Sequence, residues 1–174
     1  RAAKIGEIVS AEPCEPWIIW VDTDYEADAI MQRLPHAVEV RGSMPAAEKE
    51  KRLVAFTENG GILVTKPKIA GFGLNWQHCA RVAFVGLSFS YEAFYQAVRR
   101  CWRFGQTRPV HVHVAMADTE EAIWRTIKRK GEDHEGMKVN MYAAMKRAVE
   151  VRGVKHDYLP TRLASLPQWI KRAA

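Results

Sequence analysis

The 174-residue chain has only three cysteines, Cys14, Cys79 and Cys101. Their number is odd and no pair has C-x-x-C spacing, so a disulfide framework and a cysteine zinc site are not expected, and reduced thiols in a cytoplasmic protein are the reading. No apolar run approaches the roughly 20 residues that span a bilayer, which excludes a membrane role of that kind. Residues 1–16 hold no apolar stretch of signal-peptide length. The sequence also contains no G-x-x-x-x-G-K-[ST] loop to cradle phosphates and no D-E-x-[DH] run to hold Mg2+. No Ser-His-Asp or Cys-His arrangement is supported. With 48% hydrophobic and 26% charged residues, the composition excludes disordered, collagenous and low-complexity classes. The length suits one domain with an extension rather than two full domains. A chain that opens on Arg1 reads as a piece of something longer.

Charge is unevenly placed. Residues 1–124 hold 14 basic and 15 acidic residues, whereas residues 125–174 hold 12 basic and 5 acidic ones. The positive field therefore belongs to the tail, which is expected either to lie along nucleic acid or to be a solvated basic helix. Short β-type runs alternate with helical patterns. Residues 1–11 read as a helix that Pro13 and Pro16 end, and WIIWV (Trp17 to Val21) reads as a buried strand. Thr23-x-x-Glu26 is a capping box for a helix that runs to Pro35. Further strands are expected at Ala37 to Val40, Ile62 to Thr65, Arg81 to Val85 and Val110 to Ala115. Helices are expected from Gly42-Ser43 through Phe56, from Tyr91 to Trp102, from Asp118 to Gly131, and from Val139 to Val151 with Tyr142, Met145 and Val149 inward. Apolar strands separated by helices predict an α/β fold, a parallel sheet covered on both faces, with ligands at the carboxyl ends of its strands. The end of the chain, with Leu166, Trp169 and Ile170, reads as an extension.

Two segments carry chemistry. In Thr65 to Cys79, Gly71 and Gly73 allow close approach of backbone to a ligand and Lys66 and Lys68 add charge; the arrangement suits an anion, and equally a purely structural turn. In Gln96 to Pro109, Gln96, Arg100 and Arg103 share a helical face at i, i+4 and i+7. Four arginines stand between positions 99 and 108, and guanidinium forks match phosphate oxygens in a way lysine cannot; a basic helix end complementing its dipole is the plainer alternative. His111 and His113 share a strand face without a third ligand, and Asp22 to Asp28 suits helix capping better than calcium. Of the six tryptophans, Trp76 is the candidate for base stacking.

Together these segments resemble superfamily-2 helicases. Thr65 to Gln77 is similar to motif V and Gln96 to Gln106 to motif VI. The Swi/Snf-like branch has Q-A-x-x-R-x-x-R-x-G-Q, and the same letters stand as Gln96, Ala97, Arg100, Arg103, Gly105 and Gln106. Its G-x-G-L-N stands as Gly71, Gly73, Leu74 and Asn75. WIIWVDT resembles motif IV, and Arg41 to Phe56 the G-S segment after it, with Lys49 where arginine is usual. Trp102 replaces the usual histidine of motif VI. The likeness covers about residues 1–130, and its wording is most similar to a phage or bacterial DEAD/DEAH-type helicase of this branch.

The resemblance implies a RecA-like C-terminal lobe over residues 1–132; residues 133–174 match none of its motifs and read, from charge and pattern, as a basic helical extension. It implies that Arg100 and Arg103 are arginine fingers on ATP, and that Gly71, Gly73, Leu74, Asn75 and Gln96 line the nucleotide cleft. Gly42, Ser43, Thr65, Lys66 and Lys68 would face a nucleic-acid backbone, DNA or else RNA. The partner would be an N-terminal lobe carrying the phosphate loop and the Mg2+ ligands, without which hydrolysis is not expected. The competing readings are a stand-alone nucleic-acid-binding module and a protein adaptor.

Overall fold

Trp17–Trp20 forms β1, the centre of the sheet in the computed structural model, which describes residues 1–69 and 74–152 and side chains as far as residue 149. Gly71, Gly73 and the segment Leu166 to Ile170 lie outside the described residues. Two compact units are present, Arg1–His134 and Glu135–Ala174.

In the first unit, α1 (Ala2–Ser10), β1, α2 (Asp24–Met31), β2 (Val38–Val40), α3 (Ala46–Asn59), β3 (Ile62–Thr65), β4 (Arg81–Phe84), α4 (Tyr91–Val98) and β5 (His111–Val114) follow in order. All pairings are parallel and the sheet order is β2-β3-β1-β4-β5. Because side chains alternate across a strand, β1 divides its residues between two cores. Trp17, Ile19 and Val21 meet Ile5 and Val9 of α1 and Ala27 and Ile30 of α2. Ile18 and Trp20 meet Leu53 and Phe56 of α3, Trp76, and Ala97 of α4. Both faces are thus covered, which explains why the central strands read as unbroken apolar runs. The edge strand β5 departs from that pattern, with His111 and Val112 exposed. Cys79 and Cys101 are buried free thiols.

The Thr23–Glu26 capping box is present, Glu26 N donating to Thr23 Oγ1 at 3.3 Å and Thr23 N to Glu26 Oε2 at 3.1 Å. Helix α3 starts later than the sequence suggests, after Pro45, because Arg41 to Met44 makes a turn closed by Met44 N on Arg41 O.

Three expectations need correction. First, no helix ends at Gly131: α5 runs from Glu121 to Arg152. Gly131 is a packing glycine, since a Cβ there would lie 3.1 Å from the Tyr91 ring. Second, the expected inward positions Tyr142, Met145 and Val149 are exposed. The helical periodicity was real, but among the described residues no element covers that face. Third, Trp76 is fully buried. Its Nε1 donates to Thr57 Oγ1 at 3.0 Å and its ring meets Phe56 edge-on. It is a core residue with its polar handle satisfied, not a surface for bases. Trp76→Ala should therefore lower the unfolding free energy by about 3–5 kcal/mol in urea titration; a loss below about 1 kcal/mol would return the ring to the surface.

Candidate nucleotide and nucleic-acid interface

Helix α4 begins at Ser90, whose Oγ accepts from Ala93 N at 3.1 Å. It leaves regular geometry after Val98, where Cys101 N and Trp102 N both reach Val98 O, at 3.1 and 3.0 Å. The sequence reads this as helix to Trp102; the last turn is instead tightened, as helix ends commonly are. Gly105, at φ 93°, then reverses the chain.

That reversal brings the segment against the one that follows β3. Trp76 N donates to Arg100 O at 3.0 Å. Gln106 Nε2 donates to Gln77 O at 2.8 Å and lies 3.3 Å from Cys101 O and 3.5 Å from Cys79 O. Gln77 Nε2 donates in turn to Phe104 O. A Cβ on Gly105 would sit 3.2 Å from Gln77 Nε2, so glycine is needed there for both φ and space.

The clasp places Arg100 and Arg103 side by side. Both Nη1 atoms point at one acceptor, Leu74 O, at 3.5 and 3.4 Å. Contacts of this length are weak as hydrogen bonds. Arg100 is half-buried; burial first, and the Arg103 charge second, pull its guanidinium below the ordinary range. Tyr95, Gln96, Arg99, Arg100 and Arg103 line one groove of about 320 Å3. Among the described residues its lining has three guanidiniums and no carboxylate, an environment suited to an anion and unsuited to a divalent cation. Asn75 is exposed, its Nδ2 donating to Gln77 Oε1 at 3.1 Å.

A second cluster lies at the carboxyl ends of β2 and β3, which are adjacent in the sheet with Val40 opposite Thr65. Gly42 and Ser43 are exposed there, as is Lys68. Lys49 Nζ donates to Gly42 O at 2.6 Å, so the lysine standing in place of the usual arginine holds this turn. Lys66 is tied to Asp24 at 2.9 Å, and that bond holds the Asp24 carboxyl below its usual range. Thr65 is the exception. Its side chain is buried and its hydroxyl donates to Val40 O at 3.0 Å, bracing β2 on β3 instead of facing a nucleic acid. A hydroxyl at the end of a fully apolar strand has to find a partner, and the neighbouring strand end supplies one.

Tyr95 and Gln77 carry no signal in the sequence, and Arg99 stands there only as one of four clustered arginines. Their roles depend on how the reversal at Gly105 docks, for which Gly105-Gln106 was the only local signal. Arg108, counted among the four clustered arginines, leaves the groove and grips both Glu15 oxygens, at 2.6 and 2.7 Å.

A five-stranded parallel sheet with helices on both faces, in this strand order and with its basic groove at the end of α4, is the RecA-like fold of helicase C-terminal lobes. The helicase conserved C-terminal domain family matches residues 1–105, and the chain belongs to that family. The C-terminal part of the Fun30 ATPase domain superimposes with a TM-score of 0.64 at 20% identity, covering 72% of this chain and 44% of that one. The chain thus spans under half the length of that structure. The C-terminal domain of the DEAD-box protein Dbp5 gives 0.65 at 16% identity, covering 76% of this chain and 78% of its own. The S. cerevisiae Dbp5 C-terminal domain bound to Gle1 and IP6 gives 0.64 at 16%, with the same coverage. Among curated proteins none matches the chain.

Gln106→Ala removes the donor shared by three carbonyls. It should cost about 1–3 kcal/mol in urea unfolding, and Gly105→Ala should be destabilising as well because its φ is unfavourable for alanine.

Proposed function

We propose that the chain is the second motor lobe of an ATP-dependent DNA helicase or translocase of the Swi/Snf-like branch, in a bacterial or phage-encoded cytoplasmic protein. The observation that carries this reading is the shared groove, in which Gln96, Arg100 and Arg103 stand together and both motif VI guanidiniums reach Leu74 O.

ATP would be held by the phosphate loop of a first lobe and closed on by this one. Arg100 and Arg103 would exchange Leu74 O for phosphate oxygens. There they stabilise the charge that builds on the transferred phosphoryl group, an effect worth roughly 10³–10⁵ in rate for arginine fingers. Gln96 orients the same face, with Leu74 and Asn75 beside it. The groove lining fits no divalent cation, so the Mg2+ ligands belong to the first lobe. Gly42, Ser43, Lys66 and Lys68 would follow the DNA backbone through amides, a hydroxyl and ammonium groups, which suits sequence-independent contact. The basic residues of 133–174 would add sequence-independent attraction for nucleic acid.

The test joins this chain to its first lobe and measures ATP hydrolysis with and without DNA, and with RNA in parallel. Activity in the joined form alone, lost in Arg103→Ala while ATP binding persists, is expected; normal turnover in that variant would sink the finger assignment. DNA binding without hydrolysis in either form would favour a plain binding module, and stimulation by RNA alone would change the track. Removing residues 135–174 should weaken DNA binding and flatten its dependence on salt; an unchanged slope would give the tail a structural role.

A further inference from the structure

The resembled motif, Q-A-x-x-R-x-x-R-x-G-Q, leaves position 99 open and puts histidine at position 102. Here Arg99 and Trp102 stand at these two positions. Arg99 lines the same groove as Gln96, Arg100 and Arg103. Its guanidinium carbon lies 5.1 Å from the centroid of the Trp102 ring, within the range of a cation–π contact. Trp102 is itself 54% exposed, so the ring is not there to fill the core.

This arrangement contrasts with that of three other arginines of the unit. Arg41 is held by Glu39 and Asp28, Arg81 by Glu12 and Arg108 by Glu15. Among the described residues Arg99 makes no ion pair. A cation–π contact holds a guanidinium by its charge and brings no carboxylate to it. A ring therefore positions the side chain without neutralising it, whereas a carboxylate would do both. Three guanidiniums then border a single groove with no carboxylate in its lining, a concentration of charge that a chain of linked phosphates would relieve.

We infer that Arg99 is a third phosphate-binding guanidinium of the nucleotide site, positioned by Trp102, and that it contributes binding to the phosphate chain rather than to the reacting phosphoryl group. This rests on the nucleotide reading of the groove.

The test is calorimetric titration of this chain with inorganic tripolyphosphate at fixed ionic strength. Arg99→Ala should weaken binding roughly tenfold, the worth of a charge-assisted hydrogen bond. Trp102→Leu should approach the same loss and Trp102→Phe, which keeps a π face, should recover most of it. The double variant Arg99→Ala with Trp102→Leu should be no weaker than Arg99→Ala alone, because the tryptophan acts through the arginine. Lys128→Ala, which removes an exposed charge outside the groove, should bind as the parent chain does. If Arg99→Ala also binds as the parent while Arg103→Ala is weakened, the third cation is wrong and the groove stands. If Lys128→Ala loses as much as Arg99→Ala, only general charge is at work and the inference fails. Trp102→Phe behaving like Trp102→Leu would remove the positioning role. Failure of the parent chain to bind millimolar tripolyphosphate, or equal binding by every arginine variant, would overturn the groove together with the inference.

Discussion

Every side chain of Trp17–Trp20 is buried, and the strand cannot be moved or slipped without exposing one of two cores. A shift of one residue would exchange Trp17 and Ile19 with Ile18 and Trp20, and so present each face with side chains shaped for the other. Register at the centre consequently fixes register at β3 and β4, and through them where the carboxyl ends of all five strands fall. The turns at Gly42 and Lys66 and the start of α4 inherit their positions from that constraint.

On this base the groove is assembled by backbone hydrogen-bonding more than by side-chain packing. The segment after β3 and the segment after α4 share Trp76 N on Arg100 O, the carbonyls gathered by Gln106, and Leu74 O beneath two guanidiniums. A displacement of either segment is felt by the other through these shared bonds. Such a unit can carry a movement at the groove to the strand ends, given two arrangements of similar energy.

Much of this architecture was legible in the sequence because it rests on local rules. Apolar runs located the strands, the Thr23 box located α2, and the spacing of Gln96, Arg100 and Arg103 correctly grouped three residues of one groove. What the sequence concealed was set by tertiary partners. Thr65 looked like a surface hydroxyl until Val40 O lay beside it. Trp76 looked like an exposed ring until Phe56 and Thr57 enclosed it. Gly131 has the chemistry of a helix stop, yet it serves the approach of Tyr91, and nothing short of the packed helix reveals that difference. Arg99 was visible only as one more positive charge, because stacking on Trp102 and entry into the groove depend on how the final turn of α4 tightens.

The strand order has a consequence for how the chain reaches this state. β1 is the most apolar strand and precedes both of its parallel partners, Trp17 pairing with Ile62 and then with Arg81. Parallel pairing offers no adjacent hairpin to shield it, so WIIW is open on both edges until the chain has extended through β3 and on one until it has extended through β4. During that interval it is a short, uncharged, β-prone segment of the kind that joins strands of other molecules. The charged helices on either side of it, α1 with Lys4 and Glu7 and α2 with Asp24 and Glu26, flank the segment in sequence and act as gatekeepers before they act as cover.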